Sequence, residues 1–318
     1  MKAAVVDRLD GPEAVVVRDV EAPRAAAGQV LIRVHAAAVS FPELLQTRGQ
    51  YQARFSPPFV PGSEVAGRVV SAPERCGVEA GARVVAVVPS GGLAEYVAAD
   101  AAWTFPLADQ MSYQTAAALP SNYLTAHFAL IRRGALARGE RVLVHGAAGG
   151  LGSACVQVAK AFGAGVVIAV TSNEAKAEAA LGLGADEVVL ADQFAARARG
   201  LAVDIVADPV GGESFIDSLR SLRELGRLLV LGFASGSIPA VKVNRLLLNN
   251  VSVVGVGYGA YAFPRPGFLA GGWGELQPFL ASGQLSPLVG QAFALDDVVD
   301  AFLALESRHA VGKVVVTM

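Results

Sequence analysis

The stretch VHGAAGGLGSACVQVAKAFGA, from Val144 to Ala164, joins the end of an apolar strand to a helix of small residues. The turn between them holds four glycines, Gly146, Gly149, Gly150 and Gly152. Glycine weakens regular structure, so this density indicates that another group must approach the backbone closely. A helix that begins in such a turn offers free backbone N–H groups and the positive end of its dipole to an anion. The stretch therefore predicts a phosphate-binding loop.

Six strand candidates with helical stretches between them surround this loop in the sequence. They are the runs 141–146, 166–171, 187–191, 203–210, 226–234 and 251–259. Most are near-continuous apolar runs, which are typical of strands buried on both faces of a parallel sheet. The pattern predicts a doubly wound sheet that binds a dinucleotide, with the G-x-G-x-x-G motif aligned on Ala147, Gly149 and Gly152. A tight strand–helix turn without a ligand is the alternative.

The first part of the chain has a different texture, with short β-type runs separated by turn residues. These runs are 14–17, 30–39, 64–70, 83–88 and 93–99. A chain of 318 residues is expected to form two domains, because single cores rarely grow past about 250–300 residues. We therefore predict an α/β protein in which residues 1–120, completed by 260–318, form a β-rich domain. Residues 121–259 form the nucleotide-binding domain.

Composition excludes several classes of partner. The formal net charge is −2 and no run of Lys and Arg exceeds two residues, so a nucleic-acid partner is not expected. No apolar stretch reaches the roughly 18 residues of a membrane span. The N-terminus carries charges by Asp7, unlike a secretion signal, and only Cys76 and Cys155 are cysteines. We therefore expect no disulfide framework, no membrane partner and a cytoplasmic location.

The residue after the second strand of the sheet distinguishes between dinucleotides. NAD enzymes usually carry Asp or Glu there, whereas this sequence has Ser172, with Lys176 four residues later. A small hydroxyl leaves room for a 2′-phosphate, and a lysine can supply its counter-charge. This favours NADPH as the cofactor. Two alternatives stay open: Glu174 binds the ribose, or Lys176 is an ordinary solvated lysine.

Several stretches, in this order, resemble the zinc-independent medium-chain dehydrogenases/reductases of the quinone oxidoreductase (zeta-crystallin-like) family. They are VLIRVHAAAVSFPELLQTRGQY, PFVPGSEVAGRVV, GGLAEYV, ALPSNYLTAHFAL, GERVLVHGAAGGLG, GADEVV, GRLLVLGFASG and GKVVVTM. The resemblance implies a GroES-like catalytic domain and an inserted Rossmann domain that binds NADPH. It also implies a homodimer, in which strand 251–259 pairs with its copy to give one twelve-stranded sheet.

The resemblance also bears on metal binding. Zinc alcohol dehydrogenases of the superfamily carry an early catalytic cysteine, a Gly-His-Glu and a four-cysteine lobe. Here Ser40 takes the place of the cysteine, Gly62-Ser63-Glu64 takes the place of Gly-His-Glu, and the lobe is missing. We therefore expect no metal. Without a Lewis acid an alkoxide is not stabilised, so the expected substrate is a small apolar electrophile, a quinone or an enone.

The resemblance implies roles for individual residues. Tyr51 resembles the proton-donating tyrosine of related enoyl-thioester reductases, and Ser40 replaces an asparagine donor of related quinone reductases. Thr125 matches a residue that approaches the nicotinamide, although it can equally be a helix N-cap. The residues expected to bind the cofactor are Asn122, Thr125, Gly146, Ala148, Gly149, Gly150, Leu151, Gly152, Ser172, Lys176, Phe233 and Arg308.

Two other functions remain compatible with the sequence. One is the reduction of enoyl thioesters in lipid or polyketide synthesis, for which Tyr51 would be the proton donor. The other is a cofactor-binding protein with little turnover. A panel of quinones, enones and enoyl-CoAs distinguishes among the three.

Overall fold

The computed structural model describes residues 1–318 and divides them into two compact units. The first unit contains Met1–Ser121 and Pro287–Met318, and the second contains Asn122–Ser286. The strands are β1 (Lys2–Val6), β2 (Val15–Asp19), β3 (Gln29–Val39), β4 (Glu64–Ser71), β5 (Arg83–Val87), β6 (Tyr96–Asp100), β7 (Thr104–Pro106), β8 (Arg141–His145), β9 (Val166–Thr171), β10 (Glu187–Leu190), β11 (Val203–Asp208), β12 (Leu222–Val230), β13 (Ser252–Gly255), β14 (Val289–Ala294) and β15 (Lys313–Thr317).

The α-helices are mostly short. They are α1 (Phe41–Gln46), α2 (Tyr113–Ala117), α3 (Pro120–His127), α4 (Gly150–Ala161), α5 (Glu174–Gly182), α6 (Ala191–Leu201), α7 (Phe215–Ser221), α8 (Asn244–Asn249), α9 (Tyr258–Ala262), α10 (Phe268–Ala281) and α11 (Val298–Glu306). A π-helical segment, Phe128–Arg133, continues α3. None of the helices has both the length and the apolar character that a membrane crossing requires.

The first unit is built on a seven-stranded sheet. Six of its strands follow the order β14-β15-β3-β4-β5-β7, and the seventh, β6, pairs with β3. The long strand β3 organises this sheet. Along one edge it pairs with β4, and along the other its first half pairs with β6 and its last residues with β15. Val30, Ile32 and Val34 alternate into a core that also contains Phe302 of α11. The β-rich, GroES-like domain expected from the sequence is confirmed.

The register between β3 and β15 brings Ser40 and Lys313 together. The two strands are antiparallel, and Val39 lies opposite Val314. One residue further along each strand, Ser40 and Lys313 come together at the end of the ladder. Residues from distant parts of the sequence therefore meet at this corner of the first unit.

The second unit contains six parallel strands in the order β10-β9-β8-β11-β12-β13. All six residues of β11 are buried, as a strand covered on both faces requires. The predicted doubly wound sheet is confirmed. Strand β13 is shorter than the predicted run 251–259: it ends at Gly255, opposite the last residue of β12, and Tyr258–Ala262 forms α9.

The second division between the units lies after Ser286, which corrects the expected division near residue 260. The reason is the packing of α10. Its Phe268 ring lies 5.9 Å from Phe128, and its Phe279 ring lies 4.8 Å from Phe162. At the end of this segment, the Gln157 side chain donates one hydrogen bond to the backbone of Ser286 and accepts another from it. From the sequence alone, residues 260–286 are predicted to be irregular, because glycines interrupt the apolar pattern of this helix face.

Candidate functional site

The strand order of the second unit reverses at β8, which has β9 on one side and β11 on the other. In open α/β sheets, ligands bind at such a reversal, beyond the carboxyl ends of the strands. The turn after β8 begins with Gly146, whose φ of 58° is in the left-handed region. A Cβ at Gly146 would lie 3.2 Å from the Val210 side chain, so this turn touches the loop after β11. The predicted glycine turn therefore lies at the ligand-binding edge.

The glycines of this turn have different physical roles. A Cβ on Gly152 would lie 2.6 Å from the carbonyl carbon of Gly146, so close packing of helix on strand requires glycine there. Gly149 has extended backbone angles, φ −84° and ψ 173°, that any residue adopts. The nearest atom to a Cβ at Gly149 is the Gly146 oxygen, at 3.3 Å. No side chain caps α4 at Gly149, so the first backbone N–H groups of the helix have no side-chain partner there.

The two residues predicted to select the cofactor lie beyond β9, the strand next to β8. Ser172 is exposed immediately after the strand. Asn173 then begins α5 by accepting a hydrogen bond from the backbone N–H of Lys176, at 3.0 Å. Burial lowers the pKa of the half-buried Lys176 ammonium. Both predicted residues therefore lie at the same edge of the sheet as the glycine turn.

Other expected cofactor residues lie at several places in the fold. Ala148 is buried in the glycine turn, Leu151 is half-buried in α4, and Phe233 follows β12. Asn122 and Thr125 are half-buried on α3. Helix α3 begins at Pro120, so the alternative interpretation of Thr125 as a helix N-cap is wrong. Arg308 belongs to the first unit, in the turn between α11 and β15.

A cluster of polar side chains occupies the corner of the first unit where β3 and β15 end. Ser40 begins α1 with a capping box, in which Glu43 accepts a hydrogen bond from the Ser40 backbone N–H at 3.1 Å. Lys313 donates to Ser40 Oγ, and also to Glu64 Oε1 at 2.9 Å. Ser63 Oγ donates to the other oxygen of Glu43. We call these five residues the polar corner.

The charged side chains of the polar corner are buried, so their pairing affects their protonation and their energy. Glu43, Glu64 and Lys313 are 1%, 0% and 4% exposed, while Ser40 is half-buried. Burial raises the pKa of Glu43, although Ser63 and Lys313 act in the opposite direction. Glu64 Oε2 is buried and has no hydrogen-bond partner. A buried carboxylate of this kind is costly without a counter-charge, which Lys313 provides.

The structure brings Tyr51, the predicted proton donor, and Ser40, which replaces an asparagine donor, into the neighbourhood of Glu43. Burial raises the pKa of the Tyr51 phenol, and the Glu43 charge raises it further. Tyr51 is therefore a neutral hydrogen-bond donor. Glu43 and Lys313 were not among the residues predicted from the sequence. The pattern Ser40-x-x-Glu43 is a readable capping box, but nothing in the sequence places Lys313 beside it.

The polar corner does not fit a zinc ion. Zinc takes thiolate, imidazole and carboxylate ligands, whereas the positions aligned with those of zinc enzymes hold Ser40, Ser63 and Glu64. The Glu64 carboxylate instead contacts the Lys313 ammonium. No group of three or more His, Cys, Asp or Glu residues in the chain is arranged to hold a metal ion.

Comparisons with known proteins cover both units. A family model described as "Alcohol dehydrogenase GroES-like domain" matches residues 26–109, and one described as "Zinc-binding dehydrogenase" matches residues 150–267. Quinone oxidoreductase-like protein 2 of Bos taurus is 35% identical over 297 residues, covering 91% of this chain and 85% of the relative.

Solved structures extend the similarity to the whole chain. A probable oxidoreductase from Mycobacterium abscessus is 41% identical with a TM-score of 0.90, covering 100% of this chain and 99% of that one. The quinone oxidoreductase from Thermus thermophilus, studied also as its complex with NADPH, is 38% identical with a TM-score of 0.87. The match covers 100% of both chains. The chain therefore belongs to the quinone oxidoreductases of the medium-chain dehydrogenase/reductase family.

Proposed function

We propose that the protein is an NADPH-dependent oxidoreductase that reduces a quinone or an α,β-unsaturated carbonyl. The observation that carries the proposal is the uncapped N-terminus of α4 at the strand-order reversal. There an added Cβ at Gly149 would meet only the Gly146 oxygen, at 3.3 Å, while the backbone N–H groups suit a pyrophosphate. The NADPH complex of the Thermus thermophilus relative supports the same cofactor.

The preference for NADPH over NADH rests on two residues. Ser172 stands where a carboxylate would bind the ribose hydroxyls and repel a 2′-phosphate. Lys176, one turn into α5, carries the positive charge closest in sequence to that position. A charge-assisted hydrogen bond from an ammonium to a phosphate is short and strong. The acidic Glu174 between them is exposed in the first turn of α5.

The choice of acceptor follows from the chemistry of the polar corner. NADPH supplies a hydride, and the acceptor must then carry negative charge on an oxygen until a proton arrives. A conjugated carbonyl is already electrophilic, so hydrogen-bond donors in place of a metal ion suffice to stabilise that oxygen. Ser40 and Tyr51 are the donors that we propose for this role.

A panel of acceptors tests the proposal. NADPH oxidation is followed with quinones, enones and enoyl-CoAs of matched chain length, and kcat/KM is compared among them. We expect the highest values for a quinone or an enone. Highest values for an enoyl-CoA would favour the enoyl-thioester reductase. NADPH binding without turnover of any acceptor would favour a cofactor-binding protein.

We also propose that the protein is a homodimer formed through the β13 edge of the second unit. Strand β13 pairs only with β12, so its outer edge presents unpaired backbone groups. The segment that leads into it exposes Leu247 and Leu248 by 76% and 74%, and Ile238 and Val243 are similarly exposed. Apolar patches of this kind mark interfaces. A second copy meeting the same edge across a two-fold axis closes the assembly.

A further inference from the structure

Lys313 has a position that the proposed function does not explain. It is the first residue of the last strand, it is 4% exposed, and its side chain lies between Ser40 and Glu64. Burying a lysine is costly unless its charge is paired. A purely structural pair would need only Glu64, yet the ammonium also donates to the hydroxyl of Ser40, the half-buried member of the polar corner.

The direction of these hydrogen bonds determines what Ser40 can do. Because the Lys313 ammonium donates to Ser40 Oγ, that oxygen acts as an acceptor and the hydroxyl proton is directed to another partner. Within the protein that partner is Glu64 Oε1, 3.3 Å from Ser40 Oγ, which already accepts a hydrogen bond from Lys313 at 2.9 Å. An incoming oxygen can replace this long contact. Hydrogen bonds in a chain polarise one another, so a charged donor behind the hydroxyl strengthens the hydroxyl as a donor.

We propose that Lys313 is a positioning residue that acts through Ser40. The ammonium polarises the Ser40 hydroxyl, which donates to the acceptor oxygen where negative charge develops. The inference rests on the proposed function. In the balanced reaction, the hydride of NADPH forms a C–H bond at the β-carbon of an enone or an O–H bond at one oxygen of a quinone, the conjugated π electrons shift, and the electron pair comes to the remaining oxygen. Ser40 stabilises that oxygen until it or its conjugate carbon takes a proton from water or Tyr51, leaving NADP⁺ and the reduced acceptor.

If Lys313 acts through Ser40, removing either residue should abolish the same stabilisation of the acceptor oxygen, and the two losses in kcat should not add. The test is a double-mutant cycle in kcat. Ser40→Ala leaves the buried ion pair in place, and Ser40→Thr keeps a hydroxyl as the conservative variant. Lys313 is removed together with its counter-charge, as Lys313→Met/Glu64→Gln, so that no lone charge stays buried. Lys2→Met is the matched control, because Lys2 forms an exposed pair with Asp296.

We expect Ser40→Ala and the Lys313→Met/Glu64→Gln pair each to lower kcat at least tenfold, with the KM for NADPH within twofold of the parent value. Combining them should lower kcat no further, Ser40→Thr should restore most of it, and Lys2→Met should change nothing. Additive losses, or a kcat unchanged by either substitution, would overturn the inference. If Lys313→Met/Glu64→Gln does not fold, full activity of Ser40→Ala overturns it by itself.

A second measurement does not depend on turnover. 4-Nitrophenol is titrated onto the protein with NADP⁺, and the absorbance of its phenolate gives the pKa of the bound phenol. A polarised Ser40 hydroxyl favours the bound oxyanion, so that pKa should rise by at least one unit in Ser40→Ala and in Lys313→Met/Glu64→Gln alike. An unchanged pKa in both variants, or no binding to the parent protein, counts against the inference. Absence of turnover with every acceptor, together with the expected pKa changes, counts against the proposed function alone.

Discussion

Replacing Gly149 by valine distinguishes a glycine required for cofactor binding from one required for folding stability. The backbone at Gly149 is extended, with φ −84° and ψ 173°, which suits a β-branched residue. The new Cβ would lie 3.3 Å from the Gly146 oxygen, so the turn must yield by only a few tenths of an ångström. We therefore expect the free energy of unfolding without cofactor to change by less than about 1 kcal/mol.

The same substitution should strongly weaken cofactor binding. The valine methyl groups would fill the space before the N-terminus of α4, where a pyrophosphate needs direct contact with backbone N–H groups. A hydrogen bond to a charged group contributes about 1.5–3 kcal/mol, so losing one of them removes about 1.5–3 kcal/mol of binding free energy. The NADPH dissociation constant should rise at least roughly 10- to 150-fold.

The assay combines a fluorescence titration with NADPH and thermal unfolding with and without it. Gly149→Val should unfold near the parent temperature without cofactor and should lose the stabilisation that NADPH gives the parent protein. The contrasting variant is Gly152→Ala, whose Cβ would lie 2.6 Å from the Gly146 carbonyl carbon. This overpacking should cost about 1–3 kcal/mol even without cofactor. A Gly149→Val protein that binds NADPH within threefold of the parent would refute the assignment of this turn.

Four further outcomes are expected. Lys176→Ala should raise the KM for NADPH and leave that for NADH unchanged, and equal loss for both would contradict the proposed 2′-phosphate contact. A chelator should change neither activity nor the unfolding temperature, and elemental analysis should find less than one zinc per chain; one tightly held zinc would be contrary evidence. Leu247→Asp should yield monomers in light scattering, whereas Leu181→Asp, on α5 near the opposite end of the sheet, should not. Burial alone would raise the pKa of Glu140, but hydrogen bonds from Arg227 and from the Ala137 backbone outweigh burial, so the pKa is lowered overall. Glu140→Gln should therefore destabilise the protein by about 1–3 kcal/mol at neutral pH. This difference in stability should vanish as the pH falls through the folded-state pKa of Glu140.

The sequence by itself determined the nucleotide-binding sheet. Strand β9 has the bounds read from the apolar run 166–171, and β8 and β10 differ from prediction by one residue at one end. Strands covered on both faces leave a continuous apolar signal, and the glycine turn marks the place where a helix must pack closely on a strand. These signals are local, so a single sequence is enough to read them.

The limits of β13 and of the second unit were decided by tertiary structure. The apolar run 251–259 continues past Gly255, but the neighbouring strand β12 offers no residue to pair with beyond Val230. Similarly, 260–286 joins the second unit because the rings of α10 pack on Phe128 and Phe162. In both places the backbone conformation depends on a partner from elsewhere in the chain, which an apolar pattern does not identify.

The polar corner was also decided by tertiary structure. Ser40 and Lys313 are 273 positions apart, and they meet because β15 pairs with the last residues of β3 in one register. A shift of one residue in that register would turn Lys313 to the other face of the sheet. In the observed register Val314 and Val316 pack in the core of the first unit, and the buried Lys313 ammonium pairs with the buried Glu64 carboxylate. The sequence shows the residue types of the polar corner, and the sheet register determines which of them lie together.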